Sequence, residues 1–299
     1  MSDKCKFETR KITCYNNHLG ENGVTEAKVI TILEKCYKNT AFSTFPYFCD
    51  HSSSDEAITD TNSGNCIALS IYVKKELKKI FNIESCLIPA TIPKKYHRPG
   101  YRPISHVALL IPIDNSSSDT GVFIVDPAFY FLNPMEIRDF KEGVVFSKNI
   151  YTQETNRDLT NYVSIETLKF KLNLYTEDQH FDECQMIPAG TYYANCYAVG
   201  DQKDSWNYFL TEIVNPDEAI TYGFFLQQQE GPFITTTQIG GDGIPHIDGY
   251  LKIKGDSVTY SKNLKNPQTY NINNINESVL KQINNDIGHF FNGDIRKYL

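Results

Sequence analysis

The sequence lacks long apolar runs. Nowhere does it approach the roughly 20 consecutive apolar residues of a membrane-spanning helix, so no membrane association is expected. It lacks any block of Lys or Arg, and its net charge of −7 argues against non-specific nucleic-acid binding. The opening residues, MSDKCKFETR, hold no apolar signal core, so the expectation is a cytoplasmic protein with reduced thiols. Its eight cysteines (Cys5, Cys14, Cys36, Cys49, Cys66, Cys86, Cys184 and Cys196) include no C-x-x-C pair. Cys49-Asp50-His51 is followed by no second pair at zinc-site spacing, so no metal is expected. Gly240-Gly241-Asp242-Gly243 lacks the Lys-Ser/Thr of a phosphate loop and reads as a turn between strands. No internal repeat or low-complexity tract stands out.

What is present is ordinary in bulk. A chain of 299 residues, 40% hydrophobic and 22% charged, can bury a sizeable core as one large domain or a few smaller ones. The informative stretch runs from Asn62 to Phe81. Asn62-Ser63-Gly64-Asn65 is turn and helix-capping chemistry, with short side chains suited to the free N–H groups of a first turn. The helix that follows has Leu69, Val73, Leu77, Ile80 and Phe81 on one face, while Lys74, Lys75, Lys78 and Lys79 lie largely off it. Cys66 falls at the first helical position, on the inward side. A thiol there meets the positive end of the helix dipole, which favours the thiolate. Read alone, such a cysteine is more often a small buried hydrophobe, as most free cysteines are.

Elsewhere, residues 1–23 are polar and irregular. A helix is predicted from Thr25, whose hydroxyl can cap it, to about Asn39, with Val29, Leu33, Cys36 and Tyr37 apolar. Ala41 to Phe48 reads as an aromatic bend around Pro46, and His51 to Glu56 as an exposed loop. Strands are predicted over Ser85–Ile92, Ser105–Ile113 and Val122–Val125, the last two forming an antiparallel hairpin. Lys94, Lys95, His97, Arg98 and Arg102 lie in a basic surface loop between the first two. From residue 149 onward strand signals recur at 162–175, 191–199, 206–214, 221–228, 233–239, 249–253 and 257–261, which suggests a barrel or curled sheet. A last helix begins after Asn276, with Val279, Leu280, Ile283 and Ile287 apolar and Gly288 as its C-terminal cap.

Nucleophilic thiol chemistry needs a base to take the proton and a third group to orient that base. The hairpin offers both. His106 starts one strand and Asp126 ends the next, so an antiparallel pairing makes them neighbours. Alternation along each strand places both on one face. Two polar residues at the rim of apolar strands are costly unless paired with each other. Cys66, His106 and Asp126 are therefore the candidate catalytic residues. The backbone N–H of Cys66 is a natural oxyanion donor, with Asn65 and Asn62 as candidates for a second. Taken singly, His106 reads as a rim histidine and Asp126 as a turn former before Pro127. His18, His51, His97, His180, His246 and His289 read as surface or turn residues.

These segments resemble the arylamine N-acetyltransferases, within the wider group of cysteine enzymes with transglutaminase-like cores. That family's pattern is Arg-Gly-Gly-x-Cys at a helix start, a His heading a strand downstream, and Val-Asp-x-x-Phe soon after. Here the matching residues are Ser63-Gly64-Asn65-Cys66, Ser105-His106-Val107 and Val125-Asp126-Pro127-Ala128-Phe129. Thr44-Phe45-Pro46-Tyr47-Phe48 is similar to the family's Pro-Phe segment. Weaker similarity extends through Trp206-Asn207-Tyr208-Phe209, Asp217, Gly231-Pro232-Phe233, Gly249-Tyr250-Leu251 and Asp286-Ile287-Gly288. The chain departs from the pattern at Asn62-Ser63 for Arg-Gly, at Ala68 and Ser70 for the usual Glu and Asn, and at Pro127, which is closer to transglutaminase-like hydrolases.

The resemblance implies an α+β fold of three parts: a helical N-terminal domain over 1–95, a β-barrel over 96–214 and an α/β lid over 215–299. It implies ping-pong acyl transfer, in which acetyl-CoA acylates Cys66 and a small-molecule amine takes the acyl group. Lys94, Lys95, Arg98 and Arg102 are candidates to meet CoA phosphates. Two alternatives stay open: a transglutaminase-like amidase or peptidase using the same triad, and a binding protein that keeps the fold without turnover.

Overall fold

A computed structural model of the chain describes residues 23–49, 52–90, 106–114, 120–130, 132–138, 143–149, 159–165, 231–241, 245–262 and 266–299. Several expectations fall outside the described residues. These are the polar start, the basic loop with Lys94, Lys95, His97, Arg98 and Arg102, and the strands expected at 191–199, 206–214 and 221–228. His18, His51 and His180 fall there too, as do Cys5, Cys14, Cys184 and Cys196.

Helix α1, Glu26–Asn39, starts where expected: the Thr25 hydroxyl accepts from the Lys28 N–H. Its inward face is Val29, Ile32, Leu33, Cys36 and Tyr37. The next segment is more ordered than a bend. Ala41–Ser43 forms strand β1 and Phe45–Cys49 a short helix, α2, with Pro46 in its first turn, where a missing N–H costs nothing. The loop expected over 51–56 is a correction as well. Ser53 and Glu56 form a reciprocal capping box that opens helix α3, Ser54–Thr61.

Asn62, in the left-handed region at φ 52°, ends α3 and turns the chain into the two-residue strand β2, Ser63–Gly64. This strand pairs in parallel with β1. Helix α4, Cys66–Phe81, follows at once and stops at Asn82, also left-handed at φ 54°. Leu69, Val73 and Leu77 are fully buried as predicted, each worth about 1.5–3 kcal/mol. Ile80 is not: it is 45% exposed, because the face that packs on the core has rotated past it by the last turn.

Strands β3 (Cys86–Ala90), β4 (His106–Asp114), β5 (Thr120–Val125) and β6 (Met135–Arg138) form a four-stranded sheet in chain order. All of its pairings are antiparallel. One face packs against α1 and α4, where Leu109, Ile111, Phe123 and Val125 meet Leu33, Leu69 and Val73 in one core. Strands β7 (Gly143–Asn149) and β8 (Leu159–Ile165) form a separate antiparallel pair.

The C-terminal strands are β9 (Phe233–Ile239), β10 (Pro245–Lys254), β11 (Ser257–Lys262) and β12 (Gln268–Asn271). With β1 and β2 they form a six-stranded sheet in the order β12-β11-β10-β9-β1-β2, so the sheet draws on both ends of the chain. Helix α5, Glu277–Ile287, is capped by Asn276 and lays Leu280, Ile283 and Ile287 on this sheet. Gly288 caps the helix as expected, its N–H donating to the Asn284 carbonyl; it stays right-handed at φ −59° and leads into a tighter turn. Beyond it, Phe291 meets Phe45 edge-on at 4.9 Å, and the Ser63 hydroxyl donates to the Phe290 carbonyl at 3.0 Å. The C-terminal segment thus braces the residues just before Cys66.

Gly64 sits where backbone and side chains crowd. A Cβ there would lie 2.4 Å from the Ala68 Cβ and 2.9 Å from the Tyr47 hydroxyl. Gly64→Ala is expected to destabilise the protein by about 1–3 kcal/mol through overpacking. The check is a lowered urea midpoint, and an unchanged midpoint would contradict this packing.

Candidate active site

The site is built from three local features. Asn65 is the N-cap of α4: its Oδ1 accepts from Ile67 N–H at 3.0 Å and Ala68 N–H at 3.2 Å. Cys66 is therefore the first residue of a capped helix, 6% exposed and a free thiol. The hairpin places the other two residues. Leu109 pairs with Val125 and Leu110 with Ile124, so Asp126 shares a face with Ala108 and His106, diagonal to His106 across the ladder. Asp126 leaves β5 into the tight turn Pro127–Phe129, which Tyr130 closes in the left-handed region at φ 57°.

The structure brings Cys66, His106 and Asp126 together. His106 Nε2 lies 2.7 Å from Asp126 Oδ2, and both side chains are buried. The Cys66 thiol lies close enough to the ring to act on its charge, and with Nε2 turned to Asp126 the nitrogen left for the sulfur is Nδ1. A carboxylate that accepts from Nε2–H keeps the Nδ1 lone pair free for the thiol proton.

Electrostatics favours the charged ring. Burial opposes the imidazolium, but the negative charges of Asp126 and Cys66 and their hydrogen bonds outweigh it, raising His106 from 6.5 to about 10. The folded state therefore holds a proton that the unfolded chain releases. This stabilisation is complete below pH 6.5 and is lost as pH rises through about 10. Urea midpoints should fall across that window in the wild type and fall less in Asp126→Asn. Equal slopes would contradict the pairing.

Of the two side chains expected as a second oxyanion donor, Asn62 is exposed and serves as the α3 cap, away from any buried role. Asn65 is 4% exposed, and its Nδ2 has no hydrogen-bond partner among the described residues. His289 is exposed, as expected of a surface histidine. Sequence reasoning missed Tyr47 and Ser54. Tyr47, on α2, and Ser54, at the start of α3, are both buried and hydrogen-bonded to Asn65. The signal available for Ser54 was the Ser53–Glu56 capping box, which fixes a helix start beside it.

Among the described residues, no three or more His, Cys, Asp or Glu side chains converge as metal ligands. No described helix is long and apolar enough to cross a membrane.

No protein-family model matches the chain, and no curated protein matches it in sequence. Solved structures do. An arylamine N-acetyltransferase of Bacillus cereus, reported with a unique Cys-His-Glu catalytic triad, aligns over 90% of this chain and 92% of its own. Identity is 13% and the TM-score 0.50. The enzyme of Mycobacterium smegmatis aligns over 90% of this chain and 88% of its own, at 10% identity and a TM-score of 0.49. That of Nocardia farcinica covers 93% and 89%, at 12% identity and a TM-score of 0.47. The chain has the α+β fold of the arylamine N-acetyltransferases, in a strongly diverged sequence.

Proposed function

We propose that this protein is a cysteine-dependent acyltransferase that carries an acetyl or other acyl group from acyl-CoA, through a thioester at Cys66, to a small-molecule amine. The observation that supports this reading best is the buried line from Cys66 through His106 to Asp126 at the start of α4. The Bacillus cereus enzyme is reported with a Cys-His-Glu triad. Here the third place falls to Asp126, one methylene shorter.

In this reading His106 Nδ1 takes the proton from Cys66 Sγ, and the thiolate attacks the thioester carbonyl carbon of acetyl-CoA. The oxyanion that forms faces the Cys66 backbone N–H, with Asn65 Nδ2 as second donor. The intermediate collapses, the carbon–sulfur bond to CoA breaks, and the imidazolium returns its proton to the departing CoA thiolate. An amine then attacks the Cys66 thioester, gives a proton to His106, and leaves as the amide while Sγ takes the proton back. Asp126 holds the ring through both halves and offsets its positive charge. The cytoplasm, which supplies acyl-CoA and keeps thiols reduced, suits this chemistry.

Initial rates with acetyl-CoA and an aromatic amine test the reading. Parallel double-reciprocal lines are expected, with CoA released to one equivalent when no amine is present. Release that requires the amine would overturn the ping-pong order. Continuous release without amine would mean that water takes the acyl group, the hydrolase outcome.

A further inference from the structure

The hydroxyl protons around Asn65 have only one consistent arrangement. Ser54 Oγ lies 3.1 Å from Asn65 Oδ1, which can only accept, so Ser54 spends its single proton there. Ser54 Oγ is also 3.0 Å from the Tyr47 hydroxyl, so Tyr47 must be the donor in that contact. The Tyr47 oxygen in turn accepts from the Asn65 backbone N–H at 3.1 Å. The bonds close on themselves: Asn65 N–H to Tyr47, Tyr47 to Ser54, Ser54 to Asn65 Oδ1. The same Oδ1 accepts from the N–H groups of Ile67 and Ala68, the first turn of the Cys66 helix.

None of the three members is more than 4% exposed, so water does not compete for these bonds. The ring ties α2, α3 and the start of α4 at one point. It also fixes the Asn65 carboxamide: with three donors on Oδ1, its NH2 group cannot exchange places with the oxygen. Gly64 makes room for it, since a side chain there would strike the Tyr47 hydroxyl. Tyr47 also lies close enough to Cys66 for the sulfur's negative charge to add to the burial that holds its phenol well above the ordinary range.

We propose that Tyr47 is a positioning residue for the Cys66 nucleophile, and that its hydroxyl, through the closed ring with Ser54 and Asn65, sets the orientation of the Cys66 N–H and thiol. The inference rests on Cys66 being the nucleophile. Tyr47 touches neither the thiol proton nor the acyl group. Removing its hydroxyl leaves the Asn65 backbone N–H without an acceptor and Ser54 without a donor, so the first turn of α4 can drift against His106.

The test is Tyr47→Phe, with Ser54→Ala as a second break in the same ring. Two readouts are taken on each variant well below its melting temperature: alkylation of Cys66 by iodoacetamide, and acyl transfer from acetyl-CoA. Both variants are expected to alkylate about tenfold more slowly and to lose a similar factor in kcat with KM for acetyl-CoA unchanged. The double variant should be little worse than either single one, because one break opens the ring. A merely structural role would lower the melting temperature and raise KM while leaving kcat near normal. Wild-type alkylation rates and wild-type kcat in a folded Tyr47→Phe would overturn the proposal. Should Tyr47→Phe not fold, the same result in Ser54→Ala would overturn it. Alkylation needs no acyl donor, so a wild type that alkylates fast yet never takes an acetyl group would sink the acyltransferase reading while still testing the ring.

Discussion

Cys66→Ala is expected to remove acyl transfer altogether, a loss of about a millionfold in kcat. No other described group is placed to replace the sulfur: the ring that takes its proton is already bonded on its far side to Asp126. The variant should still fold. Alanine is the best helix former, the position is the first of a capped helix, and the Asn65 cap does not involve the thiol. Loss of the interaction with His106 costs about 1 kcal/mol. A folded Cys66→Ala protein that retained turnover would remove the triad assignment, whatever the fate of the rest.

Asp126→Asn is the second large effect, expected at about ten-thousandfold in kcat. Asp126 is fully buried, and its Oδ2 receives the Nε2–H of His106. The amide is nearly the same shape but offers either a neutral oxygen or an NH2 group. With the NH2 group turned to Nε2, the ring proton moves to Nδ1, and the tautomer can no longer accept from the thiol. With the oxygen turned inward, the imidazolium loses the charge that holds it against burial. Either way His106 becomes a poorer acceptor for the thiol proton. The check is kcat/KM across pH 6–10 beside the wild type, with circular dichroism for the fold. Activity within tenfold of wild type would mean that Asp126 only braces the hairpin.

The elements legible in the sequence were those whose cause is local. Thr25, Asn65 and Asn276 cap the helices they precede, and alternation along β4 and β5 is enough to put His106 and Asp126 on one rim. The missed elements depend on distant partners. Ala41–Ser43 is a strand because Phe42 pairs with Gly64 on one side and Thr235 on the other, which nothing within a few residues announces. Helix α3 was different: Ser53 and Glu56 carry the capping-box spacing, and the polar run around them hid it. Ile80 shows the limit of periodicity, since spacing gives a face but not where the neighbouring layer ends. For the site, the nearness of His106 to Asp126 was readable because pairing rules link two strand ends. Tyr47 and Ser54 were not, because their bonds to Asn65 span 18 and 11 residues and cross three helices.

Intact-mass spectrometry of the full chain after incubation with acetyl-CoA, beside the Cys66→Ala variant, shows whether Cys66 carries the acyl group. One added acetyl group is expected on the wild type and none on the variant, and it should be lost when an amine is supplied. A wild type that gains no acetyl group while Cys66 reacts rapidly with iodoacetamide would contradict acyl transfer from CoA and favour a hydrolase or transamidase. Acetylation of both proteins alike would contradict Cys66 as the acceptor.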